Sequence, residues 1–294
     1  MEKNNKVLIS GGKGLVGNAL TKALLLKGYK VGILSRNPAK NTEIPEFYWN
    51  IDTMEIDDNA IEFSQNIIHL AGENIGSQRW TQKRKTQIIE SRTKSTQLIA
   101  EFLDRHNFVP DTFLSASATG FYGSITSENI FSEADSAYSD FTGKTCKLWE
   151  EEVDKCITAK RICKLRTAVV LSEIGGALEK FRLPARFGVF PVPGGGKQYF
   201  PWIHLNDLVN LYIFCLENKL EGTYNAVAPE HITLKDFMKI FKGRRYGILI
   251  PVPAVFMKIL LGEMSNIVLF GSRISSEKII NQGFVFNLPY YKNI

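Results

Sequence analysis

The sequence predicts an α/β protein with a doubly wound parallel sheet and a smaller, discontinuous C-terminal α+β domain. Two observations support this fold class. Short β-branched runs alternate with helical patterns across residues 6–170, and a glycine-rich loop joins the first strand directly to the first helix. This alternation of strands and helices implies right-handed strand–helix–strand units and a parallel sheet.

Local patterns predict the individual elements. Residues 6–10 (KVLIS) are predicted to form a buried strand, and residues 15–27 carry apolar side chains at helical spacing, with Gly28 placed to end that helix in a left-handed conformation. Further strands are predicted at residues 30–34, 47–49, 66–70, 112–117, 162–170 and 222–227, and further helices at residues 81–103, 142–158, 207–217 and from Thr233, with Asp236 as its capping partner. Residues 184–201 are rich in Pro and Gly and are predicted to form an exposed loop.

Composition and charge argue against several classes of protein. The 294 residues include 36 Lys+Arg against 30 Asp+Glu, a net charge of +6, and 44% are hydrophobic, which is typical of a folded chain. We expect neither a signal peptide nor a membrane span, because the first apolar run ends at a glycine turn and two prolines and a lysine interrupt residues 248–261. The net charge is small, and its densest positive segment, residues 79–94, is interpreted mainly as a solvated helix face, so a nucleic-acid-binding protein is not expected. A cytoplasmic location is expected.

Cysteines and histidines are spread along the chain without metal-ligand spacing. No C-x-x-C pair and no His/Cys cluster occurs among Cys146, Cys156, Cys163, Cys215, His69, His106, His204 and His231. We therefore expect no bound metal and no disulfide framework, and we expect free thiols in a reducing compartment.

The loop at Gly11–Gly17 reads G-G-x-G-x-x-G. It follows a strand and opens a helix, which is the context that a dinucleotide-binding loop requires. Glycine lets the backbone turn tightly and approach a pyrophosphate, while the helix N-terminus offers free N–H groups to the anion. The sequence therefore predicts a bound dinucleotide.

Two residues after the second predicted strand indicate which dinucleotide. An NAD site usually places an acid about 20 residues beyond the glycines to bind the ribose 2′-hydroxyl. Here Ser35 and Arg36 occupy that place, and Arg36 lies 19 positions past Gly17. A guanidinium matches a phosphate group, so the sequence predicts NADP(H) as the cofactor.

Several motifs together resemble a known family. Residues 70–73 (LAGE), 115–123 (SASATGFYG) and 202–207 (WIHLND) look like an extended short-chain dehydrogenase/reductase, and more narrowly like its atypical epimerase family proteins of the YfcH type. Features shared with that subgroup are Arg79-Trp80, Ser91-Arg92, LWEE at 148–151, LRTAVV at 165–170, residues 194–198, Gly262-Glu263 and Gly283-Phe284.

The resemblance implies a Rossmann-type NADP(H)-binding domain, residues 1–170 with about 201–228, and a substrate-binding C-terminal domain, about 171–200 with 229–294. The resemblance also implies which residues contact the cofactor. They are Gly11, Gly14, Leu15 and Val16 at the pyrophosphate, Ser35 and Arg36 at the 2′-phosphate, Leu70, Ala71 and Gly72 at the adenine and ribose, Gln87 and Arg92 on the helix after the fourth strand, and Val169 near the nicotinamide.

The catalytic Tyr-x-x-x-Lys of ordinary superfamily members is absent from this chain. The corresponding helix has Thr142 in the tyrosine position and Cys146 in the lysine position. A threonine hydroxyl is far too weak an acid to replace a phenol. The candidate catalytic residues are instead Ser117, Thr119 and Tyr122, and the candidate substrate ligands are Arg79, Lys197, Gln198 and His204.

Structural roles compete with some of these assignments. Tyr122 could equally be a tyrosine packed at a strand end, and His204 could be a histidine at a helix start that bonds nearby backbone. Two functions stay open. The first is an NADP(H)-dependent oxidoreductase or sugar-nucleotide-type epimerase for a small polar molecule, and the second is a non-catalytic NADP(H)-binding sensor or scaffold. A homodimer is one candidate assembly.

Overall fold

A computed structural model describes residues 5–291 of the chain. The elements in chain order are β1 (Lys6–Ser10), α1 (Leu15–Leu26), β2 (Lys30–Ser35), β3 (Glu46–Asn50), β4 (Glu55–Ile56), β5 (Asn66–His69), α2 (Gln82–Arg105), β6 (Thr112–Ala118), β7 (Ile130–Phe131), α3 (Phe141–Cys156), β8 (Ile162–Thr167), β9 (Val169–Ser172), β10 (Gly175–Gly176), α4 (Ala177–Ala185), β11 (Val189–Pro193), β12 (Trp202–His204), α5 (Leu205–Glu217), β13 (Gly222–Ala226), α6 (Leu234–Lys242), β14 (Ile248–Val252), α7 (Ala254–Leu261), α8 (Asn266–Leu269), β15 (Arg273–Ile274) and α9 (Glu277–Asn281). Short 3₁₀ turns cover Asp58–Phe63, Thr119–Tyr122 and Gly262–Ser265.

The main sheet has eight strands in the order β13-β8-β6-β5-β1-β2-β3-β4. All neighbouring pairs are parallel except β3 with β4. The chain runs outward from β1 in one direction through β2 and β3, and in the other through β5, β6 and β8. The order therefore reverses between β1 and β5, and open α/β sheets bind ligands beyond the carboxyl ends of the strands at such a point.

Strand register brings several polar residues to that same edge. Ser10, at the end of β1, pairs with Leu34 on one side and His69 on the other. His69 in turn pairs with Ser115 of β6. The segments that leave β1, β2, β5 and β6 therefore start side by side.

Alternate side chains of the central strands fill two cores. Val7 and Ile9 of β1 pack on the face covered by α1 and α5, whereas Leu8 packs on the face covered by α2 and α3. This follows from the two-residue period of a strand, and continuous apolar runs such as KVLIS are typical of strands buried on both faces. A third core joins α4, β11, β12 and α6, with Phe190, Trp202 and Phe237 fully buried.

Most predicted elements are confirmed to within two residues at each boundary. Gly28 has a φ of +84°, in the left-handed region that was expected after α1. Thr233 caps α6 by accepting a hydrogen bond from the Asp236 N–H at 3.2 Å. The mixed α/β fold with a large parallel sheet is therefore as predicted.

Two predictions about the middle of the chain are wrong. Residues 184–201 are not simply an exposed loop, because they contain β11, which pairs in parallel with β14 and buries Phe190. The single strand predicted at residues 162–170 is divided at Ala168, where β8 stays in the main sheet and β9 leaves it to pair with β12. The division into two domains at about residues 170, 200 and 228 stays a prediction.

Candidate cofactor-binding and active site

The glycine loop lies where the strand order reverses, and its shape depends on two glycines. Gly11 has a φ of +73°, and a methyl group there would lie 3.0 Å from the backbone of Leu70 and Ala71. A methyl group at Gly17 would lie 2.3 Å from the Gly11 carbonyl oxygen. Gly14 starts α1 without any side-chain cap, so the first N–H groups of the helix are available to an anion.

The segment after β5 packs directly against this loop. The Leu70 N–H donates to the Ser10 carbonyl at 3.1 Å, and the Ala71 N–H donates to Ser10 Oγ at 3.3 Å. Ser10 Oγ also bonds His69 Nδ1 at 2.6 Å. The structure thus brings together three predicted cofactor residues, Gly11, Leu70 and Ala71.

The tip of β2 stands on the other side of the glycine loop. Ser35 is buried, and its Oγ accepts a hydrogen bond from the Asn37 N–H at 3.2 Å. Arg36 is exposed, and its guanidinium has no hydrogen-bond or ion-pair partner among residues 5–291. The cation predicted to select the cofactor is therefore free to bind an anion.

Arg92 extends from α2 to the segment after β5. Its Nη2 donates to the Glu73 carbonyl at 3.1 Å and its Nη1 to the Ile88 carbonyl at 2.8 Å, while the guanidinium lies 5.1 Å from the Trp149 ring. Burial lowers the pKa of Arg92. Gly72 lies against the same guanidinium, so these two predicted cofactor residues are neighbours. Gln87, one turn earlier on α2, is exposed.

The positions of the missing tyrosine and lysine hold groups that resist proton transfer. Thr142 Oγ1 donates to Asp140 Oδ1 at 2.9 Å, in the N-terminal cap of α3. Cys146 is fully enclosed, and burial raises the pKa of its thiol to about 12. Both side chains pack against Gly120, in the turn that follows β6.

Ser117 belongs to a buried ionic network. Its hydroxyl donates to Glu150 Oε1 at 2.6 Å, and Arg166 binds the same carboxylate through two nitrogens, each at 2.9 Å. The side chains of Arg166 and Glu150 are only 5% and 9% exposed. Arg166 is the register partner of Ser117 in the β6–β8 pair, which places both on the face covered by α3.

Tyr122 continues the same network inward and away from solvent. Its hydroxyl donates to Asn225 Oδ1 at 2.7 Å and accepts from Arg166 Nη1 at 3.1 Å, and the residue is 1% exposed. Burial raises the pKa of the phenol to about 12. These contacts match the structural role of a tyrosine packed at a strand end. Thr119, at the start of the intervening turn, is half-buried.

Among residues 5–291, no hydrogen bond or ion pair joins any two of the four candidate substrate ligands. Arg79 and Lys197 are exposed, and the Arg79 guanidinium lies against Gly262. Gln198 is buried, and its side-chain nitrogen donates to the carbonyls of Pro193 and Val268 at 3.0 and 2.6 Å. His204 caps α5 by accepting from the Asn206 N–H at 3.2 Å, and burial lowers its pKa. Gln198 and His204 therefore use polar side-chain atoms in hydrogen bonds to the backbone that stabilise the fold.

Two exposed contacts join the β5–α2 loop, residues 70–81 with the start of α2, to later parts of the chain. Lys180 Nζ of α4 donates to the Gly76 carbonyl at 2.8 Å. Lys85 of α2 pairs with Glu263, which follows α7, at 2.5 Å. Together with Arg79 beside Gly262, these contacts place α4 and the end of α7 over this loop.

Sequence reasoning did not assign Glu150, Arg166 and Asn225 to the site. One signal was available in the sequence. Arg166 lies in a strand predicted to be buried, beside the apolar Leu165, and a charge in such a strand needs a partner. Glu150 lies on the packed face of α3 and supplies that partner.

Other kinds of site find no support in the described part of the chain. Residues 5–291 contain no group of three or more His, Cys, Asp or Glu side chains arranged to hold a metal ion. No helix within that range combines the length and apolarity that a membrane crossing needs. The four cysteines are free thiols.

A glycine turn at the point where the strand order reverses, followed by a free cation at the tip of the next strand, defines a Rossmann-type dinucleotide-binding protein. Residues 7–148 match the model of the NAD dependent epimerase/dehydratase family, and residues 252–293 match a domain of unknown function, DUF1731. The chain belongs to the NAD dependent epimerase/dehydratase family, in the group of epimerase family proteins. The resemblance inferred from the motifs is thereby confirmed.

Relatives match along almost the whole chain. Epimerase family protein YfhF of Bacillus subtilis is 32% identical, over 95% of this chain and 93% of its own. The crystal structure of human epimerase family protein SDR39U1 (isoform 2) with NADPH is 27% identical and covers 97% of this chain and 96% of its own, with a TM-score of 0.84. A nucleoside-diphosphate sugar epimerase from Corynebacterium glutamicum is 27% identical and covers 98% of this chain but 56% of its own, with a TM-score of 0.76.

Proposed function

We propose that this protein binds NADP(H) in preference to NAD(H) and uses it in an oxidoreductase or epimerase reaction on a small polar molecule. The observation that carries the proposal is the unpaired Arg36 guanidinium at the tip of β2, beside the glycine loop. A human relative crystallised with NADPH supports it.

The residues present fit such a cofactor. The glycine loop leaves no room for a methyl group at Gly17, and the uncapped start of α1 offers N–H groups to a pyrophosphate. We assign Gly11, Gly14, Leu15 and Val16 to the pyrophosphate, Ser35 and Arg36 to the 2′-phosphate, and Leu70, Ala71, Gly72, Gln87, Arg92 and Val169 to the rest of the cofactor. When bound, the nicotinamide supplies a group that gives or takes a hydride.

The protein's own contribution to the chemistry does not use a phenol. Because Tyr122 is enclosed and bonded on both sides, we leave it out of the proton transfer. The hydroxyls of Ser117 and Thr119 remain at the end of β6. Ser117 is buried and uses its hydroxyl hydrogen in the bond to Glu150, so the half-buried Thr119 is the hydroxyl better placed to bond a substrate. Arg79 and Lys197 are exposed cations suited to a polar or phosphorylated substrate.

A second candidate function is that of an NADP(H)-binding sensor or scaffold without catalysis. The observation that favours it is the pair of inert groups, Thr142 and Cys146, in the usual positions of the catalytic tyrosine and lysine. Offering a library of sugars, aldehydes and ketones to the protein with NADPH, and following absorbance of the reduced nicotinamide, separates the two. Tight NADPH binding without any turnover would support the sensor and reject the enzyme.

The cofactor preference is tested by changing Arg36→Asp. We expect the dissociation constant for NADPH to rise by at least about tenfold, while that for NADH changes little, because the lost contact is to the 2′-phosphate. Isothermal titration calorimetry measures both. Arg244→Asp, at an exposed arginine after α6, is the control and should leave both constants unchanged. An equal loss of both coenzymes in the Arg36 variant would contradict the assignment.

We propose in addition a cytoplasmic location, with a homodimer as the candidate assembly. Light scattering during size-exclusion chromatography tests the assembly, and fractionation of cells tests the location.

A further inference from the structure

Helix α7 exposes apolar side chains instead of burying them. None of its eight residues is buried. Four of them are 56 to 68% exposed, namely Val255, Phe256, Ile259 and Leu260. Their spacing places the four on one side of an α-helix, and the less exposed Ala254, Met257 and Leu261 lie on the other side. The side of α7 that faces water is therefore apolar, where an ordinary surface helix is polar.

The strand before α7 adds to this apolar exposure. β14 leads directly into α7, and Ile248 at its start is 65% exposed. A methyl group on Gly188 would lie 3.8 Å from the Tyr246 ring, so Phe187 and Tyr246 belong to adjoining segments, and they are 81% and 95% exposed. We call Phe187, Tyr246, Ile248 and the four exposed side chains of α7 the α7 face. Folded proteins seldom leave so many large apolar side chains exposed in neighbouring segments unless another surface covers them.

The segments that form the α7 face carry cations and no acids. Residues 180–198, which include β11, contain four Lys or Arg and no Asp or Glu, and residues 239–262, which include β14 and α7, contain five and none. Their combined charge of +9 exceeds the +6 of the whole chain. Within the described range 5–291, four of these cations have no hydrogen-bond or ion-pair partner for their side chains, namely Arg186, Lys242, Arg244 and Lys258.

This charge decides which surface covers the α7 face. Two copies of the chain would bring two strongly cationic faces together, and repulsion between like charges opposes that contact. An anionic lipid bilayer accepts both components of the face. Apolar side chains enter the boundary between headgroups and acyl chains, while Lys and Arg bind the anionic headgroups.

We propose that the α7 face docks the protein reversibly on the surface of an anionic lipid bilayer. Phe256, Ile259 and Leu260 enter the interface, and the unpaired Arg186 and Arg244 bind headgroups beside the exposed rings of the same face. This inference is independent of the coenzyme and of the reaction proposed above.

The test is sedimentation of the full chain with two kinds of vesicle, phosphatidylcholine alone and phosphatidylcholine with about 30% phosphatidylserine. We expect the partition coefficient to be at least about tenfold higher for the anionic vesicles, and to fall as salt is added. Phe256→Ser combined with Ile259→Ser should lower it at least about tenfold, because the inserted apolar side chains are lost. Leu26→Ser combined with Val285→Ser is the matched control, since these side chains are 90% and 77% exposed outside the α7 face, and it should bind as the wild type does.

A second pair of variants tests the cations. Arg186→Glu combined with Arg244→Glu should lower partition into the anionic vesicles at least about tenfold, because two attractive charges become repulsive. Lys22→Glu combined with Lys155→Glu makes the same change in net charge at exposed positions of α1 and α3. It should change the partition coefficient by less than about twofold, because charges away from the bilayer are screened.

Three results would overturn the proposal. The first is no sedimentation with either kind of vesicle, and the second is equal partition into both. The third comes from light scattering in solution. A wild-type dimer that becomes a monomer in the Phe256→Ser, Ile259→Ser variant would assign the α7 face to a second copy of the chain. Thermal unfolding followed by circular dichroism, unchanged in each variant, shows that the losses of binding are not losses of fold.

Discussion

Removing the charge of Glu150 should destabilise the protein severely. Glu150→Gln leaves the Arg166 guanidinium, which is bonded to this carboxylate at 2.9 Å through both Nε and Nη2, without its counter-ion. Breaking a buried pair by removing one partner costs about 3–5 kcal/mol. A domain is typically stable by about 5–15 kcal/mol, so the loss is a large share of the total.

Urea unfolding followed by circular dichroism measures this loss. The next residue supplies the control, because Glu151 is exposed and lies 3.6 Å from Lys147, and Glu151→Gln should have no measurable effect. A double-mutant cycle with Arg166→Met completes the experiment. The double variant should be more stable than the sum of the two single losses predicts, by about 2 kcal/mol or more, because it no longer buries an unpaired charge.

Two results would refute this reasoning. The first is a loss below about 1 kcal/mol for Glu150→Gln, which would mean that water reaches the guanidinium. The second is strict additivity in the cycle, which would mean that Glu150 and Arg166 do not interact in the folded protein.

Two further predictions concern pH and the glycine loop. Burial lowers the pKa of His69 to about 3, so only the unfolded chain takes up this proton as the pH falls below 6.5. Between about pH 7 and pH 4 this group should lower the free energy of unfolding by about 3 kcal/mol. In urea unfolding, the stability of His69→Gln should therefore depend less on pH than that of the wild type. The same pH dependence in both proteins would contradict this. Gly17→Ala should abolish NADPH binding, since its methyl group would meet the Gly11 oxygen, whereas Gly28→Ala, strained at a φ of +84° but with open space around it, should cost about 1 kcal/mol and leave binding intact. Normal calorimetric binding by the Gly17 variant would refute the role of the close approach.

The first third of the fold could be predicted because its determinants are local. A continuous apolar run, a glycine turn and a helical period specify β1, the loop and α1 within about 20 residues of one another. The strand β11 could not be predicted in this way. Its prolines indicate a loop, and it becomes a strand only through parallel pairing with β14, almost 60 residues later.

The candidate site shows the same difference between residues with local determinants and residues that depend on distant parts of the chain. The cofactor side depends on a motif and on one residue at a fixed distance from it, and both can be identified in the sequence. The environment of Tyr122 depends on Arg166 and Asn225, which are 44 and 103 residues away along the chain. From the sequence alone, a tyrosine near the end of β6 is a candidate for acid/base catalysis. In the structure its hydroxyl is buried and bonds Arg166 of β8 and Asn225 of β13.

The contacts of Lys180 with Gly76 and of Lys85 with Glu263 have a thermodynamic consequence for access beneath the β5–α2 loop. The Lys85–Glu263 surface ion pair contributes only about 0–1 kcal/mol, and salt weakens it further. The Lys180–Gly76 contact is one exposed hydrogen bond to a backbone carbonyl, which contributes about 0.5–1.5 kcal/mol. Together the two contacts contribute no more stabilising free energy than the burial of one leucine side chain, which contributes about 1.5–3 kcal/mol. These two contacts therefore add only a small free energy to the attachment of α4 and the end of α7 to this loop at physiological ionic strength, and breaking them needs no unfolding of the cores on either side.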